Sequence, residues 1–107
     1  MNIVLSKHAE NQLDTIYDFI KVKNERAAIA IYNEIVDEIE RLKSFPQIAA
    51  IEPLLADFAK TYRSLVVRST YKVIYYTEYD TVYISAIWDC RQNPDKLRTE
   101  IWDEEDL

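Results

Sequence analysis

Apolar residues recur along this chain first at helical and then at strand spacing. Asn2 to Leu5 is a short apolar run that reads as a strand. Ser6 is a candidate N-cap, and Ala9, Leu13, Ile16, Tyr17 and Ile20 follow at three- and four-residue intervals, which predicts a helix over about residues 7–22. A second helical pattern over about residues 25–44 places Ala28, Ile31, Tyr32, Ile35, Ile39 and Leu42 on one face, with Glu34, Asp37, Glu38 and Glu40 mostly on the other. Phe45-Pro46 stops it, because proline disfavours helix in the residue before it. Two helices joined by the short polar stretch around Lys23-Asn24 should fold back as an antiparallel hairpin, whose apolar stripe then needs a sheet to cover. Residues 47–60 have no clear period and read as a loop, with one helical turn near Pro53-Leu54-Leu55-Ala56.

The period then changes to two. Three runs rich in Val, Ile and Tyr, at about residues 62–68, 71–79 and 82–89, are separated by breaks at Ser69-Thr70 and Asp80-Thr81. Connections this short permit only antiparallel pairing, hence a meander. Asn93 as N-cap with Pro94 at the first helical position opens a final short helix, and Leu97 and Ile101 lie one turn apart so that it can pack one edge on the body. The fold class expected is α+β: one domain over residues 1–107, a two-helix hairpin packed on a four-stranded, mainly antiparallel sheet, and a short C-terminal helix.

Composition narrows the chemistry. Glycine is absent, which excludes phosphate-cradling glycine loops, the dinucleotide fingerprint and the nucleophile elbow in their usual forms. His8 and Cys90 are the only residues of their types, so a Cys/His zinc site is excluded, and no cofactor is implied. His8 reads as a surface residue in the first helical turn, and Cys90 as an inert thiol in a reducing compartment. The N-terminal residues are too poor in apolar side chains for a signal peptide, and no window approaches the roughly 18 apolar residues of a membrane span, so the expected location is cytoplasmic. The net charge of −6 is unevenly placed: residues 1–59 carry −4, residues 60–98 carry +3 and residues 99–107 carry −5. A mildly basic sheet inside an acidic protein hints at an interaction surface.

The pattern R-x-L-x-V-x-x-x-Y-K-V-I-Y from Arg63 to Tyr75, continued as I-x-x-I-x-D-x-R-x-x-P from Ile84 to Pro94, resembles the RelE/ParE superfamily of type II toxin-antitoxin toxins, also described as plasmid stabilisation proteins. The order of elements resembles that family along essentially the whole chain. The resemblance implies a toxin with a cognate antitoxin, acting either as a ParE-like binder of a target such as DNA gyrase or as a RelE-like ribosome-dependent messenger-RNA endonuclease. A degenerate toxin kept as an antitoxin-binding scaffold is a third possibility.

Metal-free RNA cleavage needs a proton acceptor for the ribose 2′-hydroxyl and cations around the scissile phosphate. Arg63 and Arg91 match the family's sheet arginines, but Asp89 stands where a histidine is frequent and Gln92 where a second arginine is frequent. A nuclease here would have to use Arg63, Asp89 and Arg91, or a strand tyrosine. An aspartate beside a phosphate adds repulsion and is a poor base near neutrality. The reading therefore favours a toxin that binds over one that cleaves. Arg63, Arg68, Lys72, Trp88 and Arg91 are the candidate partner-binding residues. Structural roles compete with each: Arg63 as an ion pair with Asp89 across the sheet, Lys72 on a solvated strand face, Trp88 as a core ring, and Tyr71, Tyr75, Tyr76, Tyr79 and Tyr83 as strand packing. Trp102 and the acidic residues 103–106 read as a cover for an apolar patch and a solvated tail.

Overall fold

The computed structural model describes residues 1–101, so the expectations for Trp102 and the tail fall outside the described residues. Strand β1 (Asn2–Leu5) leads into helices α1 (Lys7–Lys21) and α2 (Glu25–Arg41); then come β2 (Ala50–Ile51), a 3-10 turn at Pro53–Leu55, β3 (Arg63–Val67), β4 (Tyr71–Glu78), β5 (Thr81–Asp89) and α3 (Leu97–Glu100). Both long helices start on the caps their sequence offers. Ser6 Oγ accepts from the Ala9 amide at 3.0 Å, and Asn24 Oδ1 accepts from the Ala27 amide at 3.0 Å. The second helix closes three residues before its predicted end, and Leu42 to Ser44 continue it as a tight turn ahead of Pro46.

The sheet has five strands in the order β1-β5-β4-β3-β2, one more than the sequence suggested. The additional strand is β2, whose two residues pair antiparallel with Ser64 and Arg63; so short a segment carries no period. β3, β4 and β5 form the expected meander, and β1 joins β5 in parallel.

The helical hairpin covers one face of the sheet. Ala9 and Leu13 of α1 and Ile35 and Ile39 of α2 pack with Val73, Tyr75, Val82, Ile84 and Ile87. The other face is covered too: Leu55, Phe58 and Tyr62 from the loop before β3, with Leu97 and Ile101 at the C-terminal end, pack on Ile74, Tyr76, Ala86 and Trp88. β4 and β5 are thus buried on both sides, which is why their sequences read as near-continuous apolar runs.

A register shift lets β5 serve both faces. Ile74 pairs with Ala86 while Tyr75 pairs with Ile84, leaving Ser85 as the extra residue of a β-bulge. Without it Ile84, Ala86 and Trp88 would share one face; with it Ile87 joins Val82 and Ile84 under the helices, and Ala86 and Trp88 turn to the second core. The bulge lies where β1 runs out, and α1 supplies the replacement partners. Ser6 donates its amide to the Ile84 carbonyl at 3.0 Å and its hydroxyl to the Ser85 carbonyl at 3.2 Å, and Gln12 Oε1 accepts from the Ile87 amide at 2.7 Å.

In a chain without glycine, tight turns fall to other residues. Arg68 and Ser69 both adopt φ of 57°, giving the left-handed pair a primed hairpin turn requires, closed by the Thr70 amide on the Val67 carbonyl at 3.2 Å. Tyr79, with φ of 55°, turns the β4–β5 hairpin while 93% exposed. A bulky residue in this conformation is disfavoured by its Cβ. Tyr79→Gly removes that cost without losing packing, so it should raise the unfolding free energy by about 0.5–1 kcal/mol after allowing for glycine's larger unfolded-state entropy. Urea unfolding should show a higher midpoint with an unchanged slope; a lower midpoint would mean the ring contributes contacts the fold requires.

Candidate functional site

The bulge and its α1 partners hold the first helix over the C-terminal end of β5, and a cleft of about 520 Å³ opens between them. Helix α1 lines it with His8, Gln12, Ile16 and Phe19; the strands contribute Tyr71, Ile87 and Asp89, and Arg91 and Gln92 follow from the turn. A second groove, sharing Phe19, Tyr71 and Arg91 with the first, continues to Ile20, Ile31, Thr70 and Arg68. Phe19 stands on the lip with 64% of its surface exposed. It is the residue that sequence reasoning missed. Its signal was position: one residue from Ile20 is about 100° round the helix, which sets this aromatic on the flank of the stripe formed by Ala9, Leu13, Ile16, Tyr17 and Ile20.

Asp89 and Arg91 form a closed fork. Asp89 Oδ1 accepts from Arg91 Nε at 3.0 Å and from the Arg91 amide at 2.9 Å, while Oδ2 accepts from Nη2 at 2.7 Å. The Arg91 hydrogen bonds hold the Asp89 carboxyl below the usual carboxylate range, and the same contacts raise the guanidinium. Burial pushes the Tyr71 hydroxyl up, opposed by the nearby Arg91, with Asp89 adding to the rise and the charge of Arg68 working against it. Arg68 itself forms an ion pair with Glu34 of α2. At the far wall, His8 Nε2 lies 2.9 Å from Glu100 Oε2, and Gln12 donates to the same oxygen at 3.5 Å. The His8 side chain is only 16% exposed and ties α1 to α3, so it is not the free surface residue the sequence suggested.

The remaining candidates lie elsewhere. Arg63 sits opposite Tyr75 on β4, four residues along the strand from Tyr71, and Tyr71 is the partner of Asp89. That offset is about 13 Å along the strand. The expected Arg63–Asp89 ion pair is therefore overturned: Arg91 occupies the carboxylate, and Arg63 donates to the Ala49 carbonyl at 2.7 Å. Lys72 lies on the second face, opposite Trp88, and pairs with Glu52 instead of standing on a solvated surface. Trp88 is 3% exposed and serves the second core. Burial pushes the Cys90 thiol up, with Lys72 opposing, which fits an inert cysteine. The structure thus gathers Arg68, Asp89 and Arg91 around Tyr71 and leaves Arg63 and Lys72 outside the cleft. Among the described residues, no group of three or more His, Cys, Asp or Glu side chains is placed to hold a metal ion, and no helix is long and apolar enough to cross a membrane.

The sequence profile of the ParE toxin of the parDE type II toxin-antitoxin system matches residues 3–94. The chain belongs to the ParE toxin family. The matched span runs from β1 to the turn before α3, so it includes all five strands of this ParE-family chain except Asn2, and the Asp89–Arg91 fork. Among solved structures, a chain of the chromosomal ParDE toxin-antitoxin system from P. aeruginosa shares the fold with a TM-score of 0.70, at 20% identity, covering 83% of this chain and 95% of that one. No individually curated protein matches the sequence. The RelE/ParE resemblance read from Arg63 to Pro94 is thereby established at family level.

Glu52 supplies a test of the second core's electrostatics. It is 1% exposed, caps the 3-10 turn by accepting from the Leu54 amide at 3.0 Å, and receives Lys72 Nζ. Burial works against its charge, but Lys72, the Leu54 amide and Ser64 together hold its carboxyl below the usual glutamate range. A carboxyl lower in the folded than in the unfolded state stabilises above its unfolded value, about 4.3, and that contribution is lost as pH falls through the folded value. Glu52→Gln should therefore cost about 1–3 kcal/mol near neutrality, where it leaves Lys72 without its carboxylate, and flatten the acid limb of the stability profile. Urea unfolding from neutral to acid pH measures both; an acid limb as steep as in the parent chain would show that Glu52 does not carry it.

Proposed function

We propose that this chain is the toxin of a type II module, held inactive by a cognate antitoxin, and that it acts by binding a target protein such as DNA gyrase rather than by cutting RNA. Its family supplies the toxin class. The observation that supports binding over cleavage is the fork: the residue standing where RelE-like nucleases resemble one another in carrying histidine is Asp89, closed on Arg91 and held in its ionised form. Such a carboxylate neither takes up a proton readily near neutrality nor welcomes a phosphate. Arg63, the other arginine that chemistry would need, sits four β4 residues away from Tyr71 and is committed to the Ala49 carbonyl.

One observation favours the runner-up, a ribosome-dependent endonuclease: the same cleft collects His8, Tyr71 and Arg91, a proton carrier, a hydroxyl and a cation. Induced expression without the partner separates the two readings. DNA-damage signalling without codon-specific cuts in the ribosomal A site is the expected outcome, and charge reversal in Arg91→Glu should weaken toxicity. Codon-specific cuts that vanish in His8→Ala and Arg91→Ala would replace this reading with the nuclease.

The antitoxin half of the proposal has its own test. Expression from the native locus should yield a stable heteromer of this chain with the product of a small neighbouring gene. Recovery of the chain alone, with no such gene, would remove the module reading.

A further inference from the structure

The two arginines of the groove are both already occupied by carboxylates of the chain itself. Arg91 takes Asp89 side-on through Nε and Nη2, and Arg68, raised on a left-handed turn, takes Glu34 from α2. Tyr71 lines the same groove as both arginines, and the groove's apolar wall is Phe19, Ile20 and Ile31, with Phe19 exposed on its lip. We infer that this groove is a carboxylate-exchange site: an acidic, apolar-studded peptide segment of the protein partner displaces Asp89 from Arg91 and Glu34 from Arg68 while laying apolar side chains against Phe19, and the two internal carboxylates set its affinity by competing with it. The inference rests on the antitoxin reading only for the choice of a protein partner.

Three physical points carry it. Both internal pairs are exposed enough that each is worth little on its own, so opening them is inexpensive. A partner that also covers Phe19 and Tyr71 excludes water from the guanidinium groups, which strengthens the direct attraction in each replacement pair. Desolvation offsets part of that gain, and apolar burial against Phe19 supplies the rest of the driving force. The occupants already present have the planar two-oxygen shape of a carboxylate, and the groove adds apolar wall to cation. That combination suits an amphipathic acidic peptide better than a nucleic-acid backbone, whose phosphates bring no aliphatic side chains to set against Phe19, Ile20 and Ile31.

The test uses the full-length chain and a short fluorescein-labelled peptide of alternating leucine and glutamate, followed by anisotropy, with a leucine–lysine peptide as control. Asp89→Asn is the decisive variant, because an asparagine oxygen can still accept from the Arg91 amide and so keep the turn, while the competing charge is gone. Binding of the acidic peptide should tighten about threefold to fivefold in Asp89→Asn and in Glu34→Gln, on the scale of an exposed ion pair. Binding should be lost in Arg91→Glu and weakened by added salt. Unchanged or weaker binding in a folded Asp89→Asn chain overturns the competitor role. Peptide binding that survives Arg91→Glu, or an oligouridylate that binds in an Arg91-dependent way where the peptide does not, overturns the groove assignment. Should the native heteromer form while the peptide fails, the exchange site alone is wrong; should the peptide bind as described with no heteromer at the locus, the antitoxin reading fails and the exchange site stands.

Discussion

Every backbone amide of a strand covered on both faces must find a partner inside the protein, and in this chain that demand falls hardest on β5. β1 pairs with it only from Thr81 to Ile84. Beyond that point β1 has ended, and on that side of β5 the cap and α1 supply the partners, Ser6 at Ser85 and Gln12 at Ile87, while the β4–β5 ladder is interrupted at the Ser85 bulge and resumes at Ala86. The consequence reaches the far end of the molecule. Because Gln12 is fixed to Ile87, the outward face of α1 stands over the end of β5, and Phe19, two turns further along, becomes the lip of the cleft in which Asp89 and Arg91 meet. The site is a by-product of satisfying one strand.

The elements that carry strong periodicity were legible from the residues alone. Both helices, their caps at Ser6 and Asn24, the meander and the packing of Leu97 and Ile101 all follow from local pattern. What escaped depends on register. The pairing of β2 rests on two residues with no period, and the bulge at Ser85 shows in sequence only as an apolar run too continuous to assign faces. Without the bulge, the faces of Ile87 and Asp89 cannot be known. The Arg63–Asp89 pairing failed for the same reason: residue spacing identifies strands, whereas which cation meets which carboxylate depends on the stagger of three strands. Arg91 was the better-placed candidate because a residue just past the last strand is set by the strand's end and hardly by its register.

The charges share one theme. Arg68, Lys72, Arg91 and Arg98 are each matched by a carboxylate of the same chain, and Arg63 by a backbone carbonyl. The +3 of residues 60–98 therefore overstates how much positive field reaches solvent, since the neutralising groups include Glu34, Glu52 and Asp57 from the acidic first half. A basic segment in sequence is here a lightly masked one in space.

The order of strands bears on self-association. The two longest, β4 and β5, are inside the sheet, while its borders are β1 with four residues and β2 with two. Beyond β2, the outer side of β3 is open only from Leu65 to Val67, and the hairpin turn at Arg68 ends it. A second copy approaching this border would gain a ladder of about three residues, well short of the span over which cross-strand bonding propagates. That border therefore offers a second copy little backbone to pair with, and recognition along it falls mainly to side chains.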